Sequence, residues 1–510
     1  MKLIKLLSCL LIGGACLYSC SKSKLPDDGS NADAASSKKG VFTPLSTTAV
    51  SLAINDPGGY AGSVIPSDFT GLSYETSTVC TDDYFNSGNT TFINLINGLG
   101  KGVIRIGGNA ADKTFWHNTT RGSDTRDTVI YQDDITRFNS FVENELPDWK
   151  IMFGLNMGNS NTNATIARQE ALYASDVFGS RLLAFELGNE ADLWGGYLKP
   201  PGYSRINFFS DWTNFRSTIN GGFTSAGEPL PPYAGPTFAG NIPWLDDFTT
   251  SYINDVAIVN HHYYNVSQSN PSTGSATIAG MLEPDNGLIT NLPTFISYAA
   301  KGNKPFRFSE CNSISNGGVN GVSNAFASAL WGIDYMFYCA SKGVDGVNFH
   351  GGLNPAINAP YYTPIKNNSG TYTATPIYYA MLMWKISAIN QFRKAALTAN
   401  GLNVTSYYFQ RTDGKRAILF INKEETENAG LSISGLPANA VLTLHKLTTD
   451  ATVTSNYAAA LTGKVMLAGS KVDANGNWAS SSTSTVTANG SGNVSTFTIR
   501  AAQAVLMVIN

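Results

Sequence analysis

The feature that most constrains the fold is a repeated alternation of short apolar runs with longer amphipathic segments. Eight apolar runs lie at residues 69–75, 103–106, 150–156, 183–190, 233–239, 255–264, 305–310 and 343–350. The segments between them carry apolar residues at three- and four-residue spacing, which is typical of helices with one buried face; examples are 133–146, 166–178, 203–220, 288–300 and 322–341. Eight strands that alternate with helices predict a (β/α)8 TIM barrel.

The structural alternative to a barrel is a doubly wound open sheet that binds a nucleotide. The first predicted strand is not followed by a glycine-rich dinucleotide-binding turn. Residues 98–102 read Gly-Leu-Gly-Lys-Gly and lack the Gly-Lys-Ser/Thr ending of a phosphate-binding loop. We therefore predict a catalytic barrel over residues 59–385 and expect no cofactor.

The sequence changes character after Trp384, where short alternating runs rich in Thr, Ser, Val, Gly and Asn replace the helical segments. These runs lie at 403–410, 416–422, 430–433, 441–447, 465–467 and 494–499. Turn pairs such as Asp413-Gly414 and Asn475-Gly476 separate them. This pattern predicts a C-terminal antiparallel β-sandwich over residues 386–510.

The first twenty residues have the layout of an export signal. Lys2 and Lys5 precede an apolar run at 6–15, which is too short to cross a bilayer stably. A small residue directly before Cys20 resembles a bacterial lipobox, which implies a lipoprotein signal peptide over residues 1–19 and lipidation of the Cys20 thiol. An ordinary signal peptide cut elsewhere is the alternative. We expect an exported lipoprotein, anchored to a membrane in the periplasm or at the cell surface.

Two segments connect this signal to the barrel. Residues 20–40 contain almost no large apolar side chain, so they cannot offset their own ordering entropy and are predicted to form a flexible tether. Residues 41–58 alternate enough to form one isolated strand, which ends at Pro57-Gly58.

Charge and cysteine content exclude two classes of protein. The chain has 34 basic and 37 acidic residues and a net charge of −3, so it lacks the electrostatic footprint of a protein that binds DNA or RNA. Three of its six cysteines lie in the first twenty residues. Only Cys80, Cys311 and Cys339 remain, so the fold is not a disulfide-stapled scaffold.

Candidate reactive residues follow from the barrel, because its active-site side chains lie at the C-terminal ends of the strands. The polar residues at the ends of four predicted strands are Glu75, Asn189, Glu190, His262, Tyr264 and Glu310. A single acid in such a position is more often a solvated or salt-bridged surface residue. Two acids, on the fourth and seventh strands, favour a functional pair.

Glycoside hydrolysis requires two carboxyl groups that flank one glycosidic bond, one protonated and one ionised. Glu190 and Glu310 are 120 residues apart in the chain but belong to the same barrel mouth. One can give its proton to the leaving oxygen while the other attacks the anomeric carbon. Asn189, directly before the first, can bind the 2-hydroxyl of the sugar.

Other polar and aromatic residues carry weaker signals. A lone histidine is more often a hydrogen-bonded filler than a catalyst, which applies to His262 and His350. The five histidines show no His-x-x-x-His spacing, so we expect no metal site. Trp116, Trp194 and Trp331 are candidates to stack on sugar rings, with burial in the barrel or helix layer as an equal alternative.

Longer matches around these residues resemble a known family. They are Gly71-Leu-Ser-Tyr-Glu75, Arg105-Ile-Gly-Gly-Asn109, Glu186-Leu-Gly-Asn-Glu190-Ala-Asp-Leu193, Glu310-Cys-Asn-Ser, Gly321-Val-Ser, Ala329-Leu-Trp-Gly-Ile-Asp334 and Gly346-Val-Asn-Phe-His-Gly-Gly352. Together they resemble glycoside hydrolase family 79 of the clan A retaining glycosidases, which includes β-glucuronidases and, more remotely, heparanases. The resemblance covers roughly residues 53–510. In that family the strand before the barrel joins the C-terminal sandwich, which is the place implied here for 41–58.

The resemblance implies a role for each matching residue. Glu190 is similar to the acid/base, Glu310 to the nucleophile and Asn189 to the partner of the 2-hydroxyl, in a double displacement with retention. Glu75 resembles the carboxylate that binds sugar hydroxyls, and Tyr264 resembles a strand-six tyrosine near the nucleophile.

The remaining substrate-binding candidates are Asn109, His262, Ser315, Gly317 and His350. Arg105 is a candidate to keep the nucleophile ionised, with an ion pair inside the barrel as the alternative.

Recognition of a uronic acid requires donors for its carboxylate, yet no Arg or Lys follows Glu310 until Lys342. We therefore expect tyrosine hydroxyls and the backbone amides of the glycine-rich loop 312–321 to serve as donors. Ser315 and Asn316 stand where some family members have an aromatic hydroxyl.

The predicted function is an exo-acting β-glucuronidase that acts on glycans or glycosides. The alternatives are another clan A specificity, such as a β-glucosidase or an endo-acting glycosaminoglycan hydrolase, and a surface lipoprotein that only binds glycan.

Overall fold

The computed structural model describes residues 45–54, 59–81, 84–124, 126, 128–159, 162–268, 271–352 and 360–510. The predicted signal peptide and tether, and residues 41–44 and 55–58 of the predicted N-terminal strand, lie outside these ranges. In chain order the strands are β1 (Thr47–Ile54), β2 (Tyr60–Ala61), β3 (Thr70–Glu75), β4 (Gly102–Gly107), β5 (Phe115–His117), β6 (Val129–Tyr131), β7 (Trp149–Leu155), β8 (Leu182–Leu187), β9 (Tyr233–Phe238), β10 (Ile258–Val266), β11 (Phe306–Ile314), β12 (Gly346–Gly351), β13 (Ile365–Asn368), β14 (Thr371–Ala374), β15 (Ile389–Arg393), β16 (Ala395–Thr398), β17 (Val404–Arg411), β18 (Arg416–Asn422), β19 (Asn428–Ser434), β20 (Val441–Thr449), β21 (Val465–Leu467), β22 (Ser484–Thr487), β23 (Val494–Ile499) and β24 (Gln503–Ile509). The α-helices of the same ranges are α1 (Thr90–Gly98), α2 (Gln132–Glu145), α3 (Ala164–Phe178), α4 (Arg205–Ala226), α5 (Ile242–Tyr252), α6 (Ile278–Leu282), α7 (Asn286–Ala300), α8 (Phe326–Ser341) and α9 (Pro376–Ser387).

Eight parallel strands close into a barrel in the order β3-β4-β7-β8-β9-β10-β11-β12. Each of the eight apolar runs in the sequence overlaps one of these strands, so the predicted (β/α)8 barrel is confirmed. Every residue of β3, β4, β9, β11 and β12 is buried. This is the expected consequence of packing side chains inside the barrel and helices outside it.

The helix α3 shows why these segments become helical. The Asn163 side chain accepts hydrogen bonds from the amides of Thr165 and Ile166, which caps the first turn. Ala167, Ala171, Ala174 and Phe178 are buried, at the spacing of one helix face. Burial of the Phe178 ring alone contributes roughly 1.5–3 kcal/mol.

The helices α1, α5 and α9 were not predicted from the sequence. In α9, ten of the twelve residues are buried, including Trp384. A helix that is apolar all round has no amphipathic period to recognise. Its position explains the burial, because it packs between α8 and strand β21 of the C-terminal region.

The C-terminal region contains an eight-stranded and a four-stranded sheet. The larger has the order β2-β15-β17-β18-β24-β20-β21, with β22 paired to β20, and the smaller has the order β16-β1-β19-β23. Val50 and Leu431 of the small sheet share one apolar core with Phe420 and Met507 of the large sheet. The predicted sandwich is thus present, except that β1 pairs with β19 in parallel and not antiparallel.

Two strands from before the barrel belong to these sheets. The strand β1, inside the predicted segment 41–58, pairs with β16 and β19 of the small sheet. The short strand β2 lies within the segment predicted as barrel but pairs with β15 of the large sheet.

The strand β24 escaped prediction although it lies in the middle of the large sheet. All seven of its residues are buried, since one face packs on the small sheet and the other faces the barrel. Its continuous apolar run is like those of the barrel strands, whereas the other C-terminal strands were recognised by their alternation.

The same barrel-facing layer contains the ring of Phe337 from α8, 5.4 Å from that of Phe409. The large sheet therefore supports the barrel from one side. None of the helices in the described ranges has the length and apolar character needed to cross a membrane. Cys80, Cys311 and Cys339 are free thiols.

Candidate active site

The polar strand ends meet in one cavity at the C-terminal mouth of the barrel. Its volume is about 1250 Å³. Glu75, Asn109, Asn189 and Glu190 line it, together with Asn316 from the loop after β11. Pockets for small molecules typically measure about 300–1,000 Å³, so this cavity has room for a sugar ring and the group attached to it.

Glu310 lies in β11, where the strand register relative to β10 and β12 becomes irregular. Irregularities of this kind re-aim side chains next to functional sites. The Glu310 carboxylate accepts hydrogen bonds from Arg105 Nη1 at 2.6 Å and from the Tyr264 hydroxyl at 2.7 Å. Burial opposes its ionisation, but the positive charges of His350 and Arg105 and the Tyr264 hydrogen bond outweigh it, so the pKa of Glu310 lies well below its usual range.

Arg105 is the central cation of the site and is fully buried. Its guanidinium donates to Glu310, to Glu186 Oε2 at 2.7 Å and to Asn189 Oδ1 at 2.8 Å. Both roles considered from the sequence are thus present, because Arg105 pairs with Glu186 inside the barrel and with Glu310 at its mouth. Its planar fork matches several oxygens at once, which a lysine cannot do.

Glu190 follows β8 and has left-handed backbone angles, with φ 54°. Its side chain is 16% exposed to the cavity. Burial, the negative charge of Glu310 and that of Asp192 raise the pKa of Glu190 well above its usual range. The opposite pKa shifts of the two glutamates therefore favour a proton on Glu190 and a negative charge on Glu310.

His262 links Glu190 to Arg105, which in turn binds Glu310. Its Nε2 lies 3.3 Å from Arg105 Nη2 and its Nδ1 lies 2.9 Å from Glu190 Oε1. Burial lowers the pKa of His262 to about 4, so the ring is neutral at neutral pH. Since arginine only donates, the network assigns the acceptor to Nε2 and the proton to Nδ1, which donates to Glu190 Oε1. This leaves Glu190 Oε2 as the position of the transferable proton.

A second polar group lies beside Glu310 on β3 and β12. The Ser73 hydroxyl accepts a hydrogen bond from Arg105 at 3.2 Å and lies 2.9 Å from His350 Nδ1. His350 Nε2 is 3.6 Å from Glu75 Oε1. Burial opposes the charged form of His350, but Glu310 and Glu75 raise its pKa above the usual value. Positive charge on His350 thus lies between two carboxylates.

The predicted residues of the loops lie further from the acids. Asn109 is exposed on the cavity wall. The Ser315 hydroxyl accepts a hydrogen bond from the Gln268 amide, and the Gly317 carbonyl accepts one from a backbone amide after β12. Ser315 and Gly317 thus shape the loop that places Asn316, with φ 55°, on the cavity.

Two residues of the site had no assigned role in the sequence. Glu186 is fully buried in β8 and binds Arg105 and the Asn260 amide. Strand periodicity gives a signal for it, because side chains two positions apart share one barrel face. Tyr362, from the loop after β12, is 4% exposed, with its ring 6.0 Å from Tyr264. No local pattern marks Tyr362, since it reaches the site only through the path of its loop.

The three candidate tryptophans are buried. Trp116 is 8% exposed, Trp194 1% and Trp331 5%. Trp194 Nε1 donates to the carbonyl of Asn189 at 2.8 Å, so this ring supports the peptide before Glu190. Among the exposed apolar side chains on the cavity wall are Leu193 and Tyr197.

Within the described residues, one group of side chains has the spacing to hold a metal ion. Ligand atoms of Glu190, His262 and Glu310 lie within 4.8 Å of one another. The Glu310 oxygens already accept from Arg105 and Tyr264, and the guanidinium would repel a cation on the same carboxylate. The donor set therefore fits hydrogen bonds from Arg105, Tyr264 and His262 to the two acids better than it fits a metal.

The spacing of the acids indicates what they can do chemically. An oxygen of Glu190 and one of Glu310 lie within 4.8 Å. Carboxyl groups about 5–5.5 Å apart leave no room for a water between the second acid and the anomeric carbon, which favours direct attack and retention, whereas inversion requires about 6.5–9.5 Å. The spacing of the two carboxyls is thus closer to the one that favours retention than to the one that inversion requires.

Two curated proteins are similar in sequence, whereas no family model matches the chain. A β-glucuronidase of Aspergillus niger is 28% identical over 317 residues, which cover 56% of this chain and 56% of that protein. A β-glucuronidase of Neurospora crassa is 26% identical over 325 residues, which cover 57% of this chain and 58% of that protein. The chain thus spans slightly more than half the length of the curated relatives it matches.

Solved structures match over a larger share of the chain. A 4-O-α-L-rhamnosyl-β-D-glucuronidase of Fusarium oxysporum, in complex with Rha-GlcA, aligns with a TM-score of 0.70 at 18% identity, covering 89% of this chain and 99% of that one. The chain shares its fold with glycoside hydrolases. A GH51 arabinofuranosidase of Xanthomonas axonopodis pv. citri aligns with a TM-score of 0.65 at 14% identity, covering 91% of this chain and 100% of that one. At such identities the likeness extends to the fold alone.

Proposed function

We propose that this chain is a retaining glycoside hydrolase in which Glu310 attacks the anomeric carbon and Glu190 protonates the leaving oxygen. The glycosyl-enzyme is then hydrolysed by a water from which Glu190 takes a proton. One observation carries the proposal: two carboxyls within 4.8 Å of each other have pKa values shifted in opposite directions. Opposite shifts in one pair assign the acid and the nucleophile.

The proposed substrate is a terminal β-linked glucuronic acid, and the proposed family is glycoside hydrolase family 79. Support for the sugar comes from the two similar β-glucuronidases and from the Fusarium structure, whose name includes β-D-glucuronidase. The chain offers the Tyr362 hydroxyl and the loop around Asn316 as donors for the sugar, since the Tyr264 hydroxyl already donates to Glu310. Neutral donors suffice for a carboxylate when several converge on it.

The proposed location is outside the cytoplasm, with the chain anchored by a lipid on Cys20. The support is the signal layout of residues 1–19 and the lipobox-like position of Cys20. Growth with a radiolabelled fatty acid should label the wild type and not the Cys20→Ala variant. Equal labelling of both would exclude lipidation at Cys20.

The test of the activity is a panel of 4-nitrophenyl glycosides given to the wild type and to Glu310→Gln and Glu190→Gln. Hydrolysis of the β-glucuronide that depends on both glutamates is the expected result. Equal rates on the β-glucoside would disprove the uronic acid specificity, and unchanged rates in both variants would disprove the mechanism. Proton NMR of the first product distinguishes retention from inversion.

A further inference from the structure

Asp112 is a buried carboxyl beside the acid/base that the mechanism above does not use. It lies in the short helical turn Ala111–Lys113 after β4 and is fully buried. Its Oδ2 accepts the amide of Asn189 at 2.7 Å, and its Oδ1 accepts the amide of Met157 at 3.1 Å. One carboxylate therefore connects the ends of three barrel strands.

Asn189 is held at three of its polar groups at once. Its amide donates to Asp112, its carbonyl accepts from Trp194 Nε1 at 2.8 Å and its side-chain oxygen accepts from Arg105 at 2.8 Å. The three partners come from different parts of the barrel mouth. We call these contacts the Asn189 clamp.

The clamp lies next to a backbone position that needs support. Glu190 has φ 54°, a left-handed conformation that costs a residue with a side chain about 1–2 kcal/mol. Its amide donates to the Thr237 carbonyl at 2.9 Å. A strained turn persists only where its surroundings over-determine it. The direction of the Glu190 carboxyl thus depends on the peptide that the clamp holds.

The chemistry at position 112 is specific for a short carboxylate. Both oxygens accept a backbone amide, whereas an asparagine has one acceptor and would place an NH2 group against the second amide. A larger side chain lacks space, because a Cβ on Gly158 would already come within 2.6 Å of Asp112 Cβ. Burial raises the pKa of Asp112 to about 7, which adds a cost to holding this carboxylate ionised here.

We propose that Asp112 is a positioning residue for the acid/base: through the Asn189 amide it aims Glu190 at the leaving-group oxygen. This inference rests on the proposed function for the role of Glu190. The alternative is that Asp112 only joins the strand ends and contributes to stability.

The leaving group of the substrate separates these two roles. Phenyl β-D-glucuronide needs a proton on its departing oxygen, whereas 2,4-dinitrophenyl β-D-glucuronide does not. In Asp112→Asn we expect kcat/KM to fall about 100-fold on the phenyl substrate, because a misplaced general acid loses most of its contribution. On the dinitrophenyl substrate we expect a fall of less than about 5-fold. Equal falls on both substrates would overturn the proposal.

The matched control is Glu170→Gln. Glu170 is another buried carboxyl, 3% exposed, in α3 and away from the mouth. This variant should leave the ratio of the two kcat/KM values unchanged. If Asp112→Asn does not fold, Trp194→Phe removes the donor to the carbonyl of the same residue, Asn189, and should shift the ratio in the same direction.

A measurement without substrate tests the clamp itself. Hydrogen exchange at the Asn189 amide should be faster in Asp112→Asn than in the wild type and in Glu170→Gln. Unchanged exchange would overturn the proposal. A wild type that hydrolyses no glycoside would instead contradict the proposed function, while exchange would still report whether Asp112 holds the Asn189 amide.

Discussion

Glu190 and Glu310 lie within 4.8 Å of each other at the barrel mouth but in opposite surroundings. Glu310 accepts charged and neutral donors from Arg105 and Tyr264, and its side chain is 7% exposed. Among the described residues, no cation contacts the Glu190 carboxyl; its partner is the neutral ring of His262. Two buried residues of one chemical type thus acquire opposite pKa shifts because their charged and hydrogen-bonding neighbours differ.

Arg105, the central cation of the site, contacts the surroundings of the two acids unequally. Arg105 reaches Glu186 and Glu310 but contacts the Glu190 side of the site only through Asn189 and His262. The negative charge that Arg105 stabilises on Glu310 then acts on Glu190 and keeps its proton in place. Each acid therefore depends on the state of the other.

The largest expected effect comes from substitution of Glu310, the ionised acid of the pair. Glu310→Gln removes the nucleophile and should lower kcat by about 10⁴-fold or more on every substrate, including those with activated leaving groups. The control is Glu143→Gln, which changes an exposed glutamate of α2 and should retain wild-type rates. Activity of Glu310→Gln near that of the control would show that Glu310 has no catalytic role and would contradict its contrast with Glu190.

The effect of substituting Glu190, the protonated acid of the pair, should depend on the leaving group of the substrate. Glu190→Gln removes the proton donor and should lower kcat/KM by about 10²–10⁴-fold on phenyl β-D-glucuronide. The loss on the 2,4-dinitrophenyl substrate should be much smaller, because that group departs without a proton. Equal losses on both substrates would contradict the acid role of Glu190.

The role of Arg105, which binds both Glu186 and Glu310, can be tested by removing its charge. Arg105→Gln leaves Glu186 and Glu310 buried without the cation that binds them both, so we expect the free energy of unfolding to fall by about 3–5 kcal/mol. We also expect about a 100-fold lower kcat/KM, since Glu310 then binds a proton more readily. Urea denaturation and a pH profile measure the two effects. A variant as stable and active as the wild type would refute the central role of Arg105.

The smallest expected effect is a shift in pH dependence. Glu310 must be ionised to act, and the Tyr264 hydrogen bond helps to hold its pKa below the usual value. In Tyr264→Phe this pKa rises, so the loss of kcat/KM at acid pH should begin at a higher pH, with about a 10-fold lower rate in the plateau.

The matched control for that variant is Tyr263→Phe. The Tyr263 hydroxyl donates to Asp285 at 2.6 Å, outside the barrel interior, so its removal should leave the acid limb in place. An acid limb that moves equally in both variants would show that Tyr264 does not act through Glu310. The basic limb, set by deprotonation of Glu190 with its raised pKa, should stay constant in both.

Much of the fold could be predicted from the sequence because its signals are local. Each barrel strand is a short apolar run, and five of the helices have a regular apolar face. The elements α9 and β24 were missed, although buried apolar runs did predict the barrel strands. Their burial arises where the barrel meets the large sheet, a surface that exists only after both parts have formed.

The candidate site was predictable in part for the same reason. Glu190 and Glu310 end their predicted apolar runs, and the position of strand ends in a barrel is known in advance. In the structure Glu190 follows β8, whereas β11 continues beyond Glu310 to Ile314. Tyr362 and Asp112 have no such signal. Tyr362 comes from a loop, and Asp112 acts on an amide that is 77 positions away in the chain.

By itself the sequence determined the barrel, the sandwich and the two acids at the mouth of the barrel. These features follow from the period of the apolar residues and from the position of a residue along its strand, which are properties of neighbouring residues. Only the tertiary structure decided which acid holds the proton, which oxygens Arg105 binds and what fixes the turn at Glu190. Those properties depend on distances of about 3 Å between residues far apart in the chain, where burial and charge act through space.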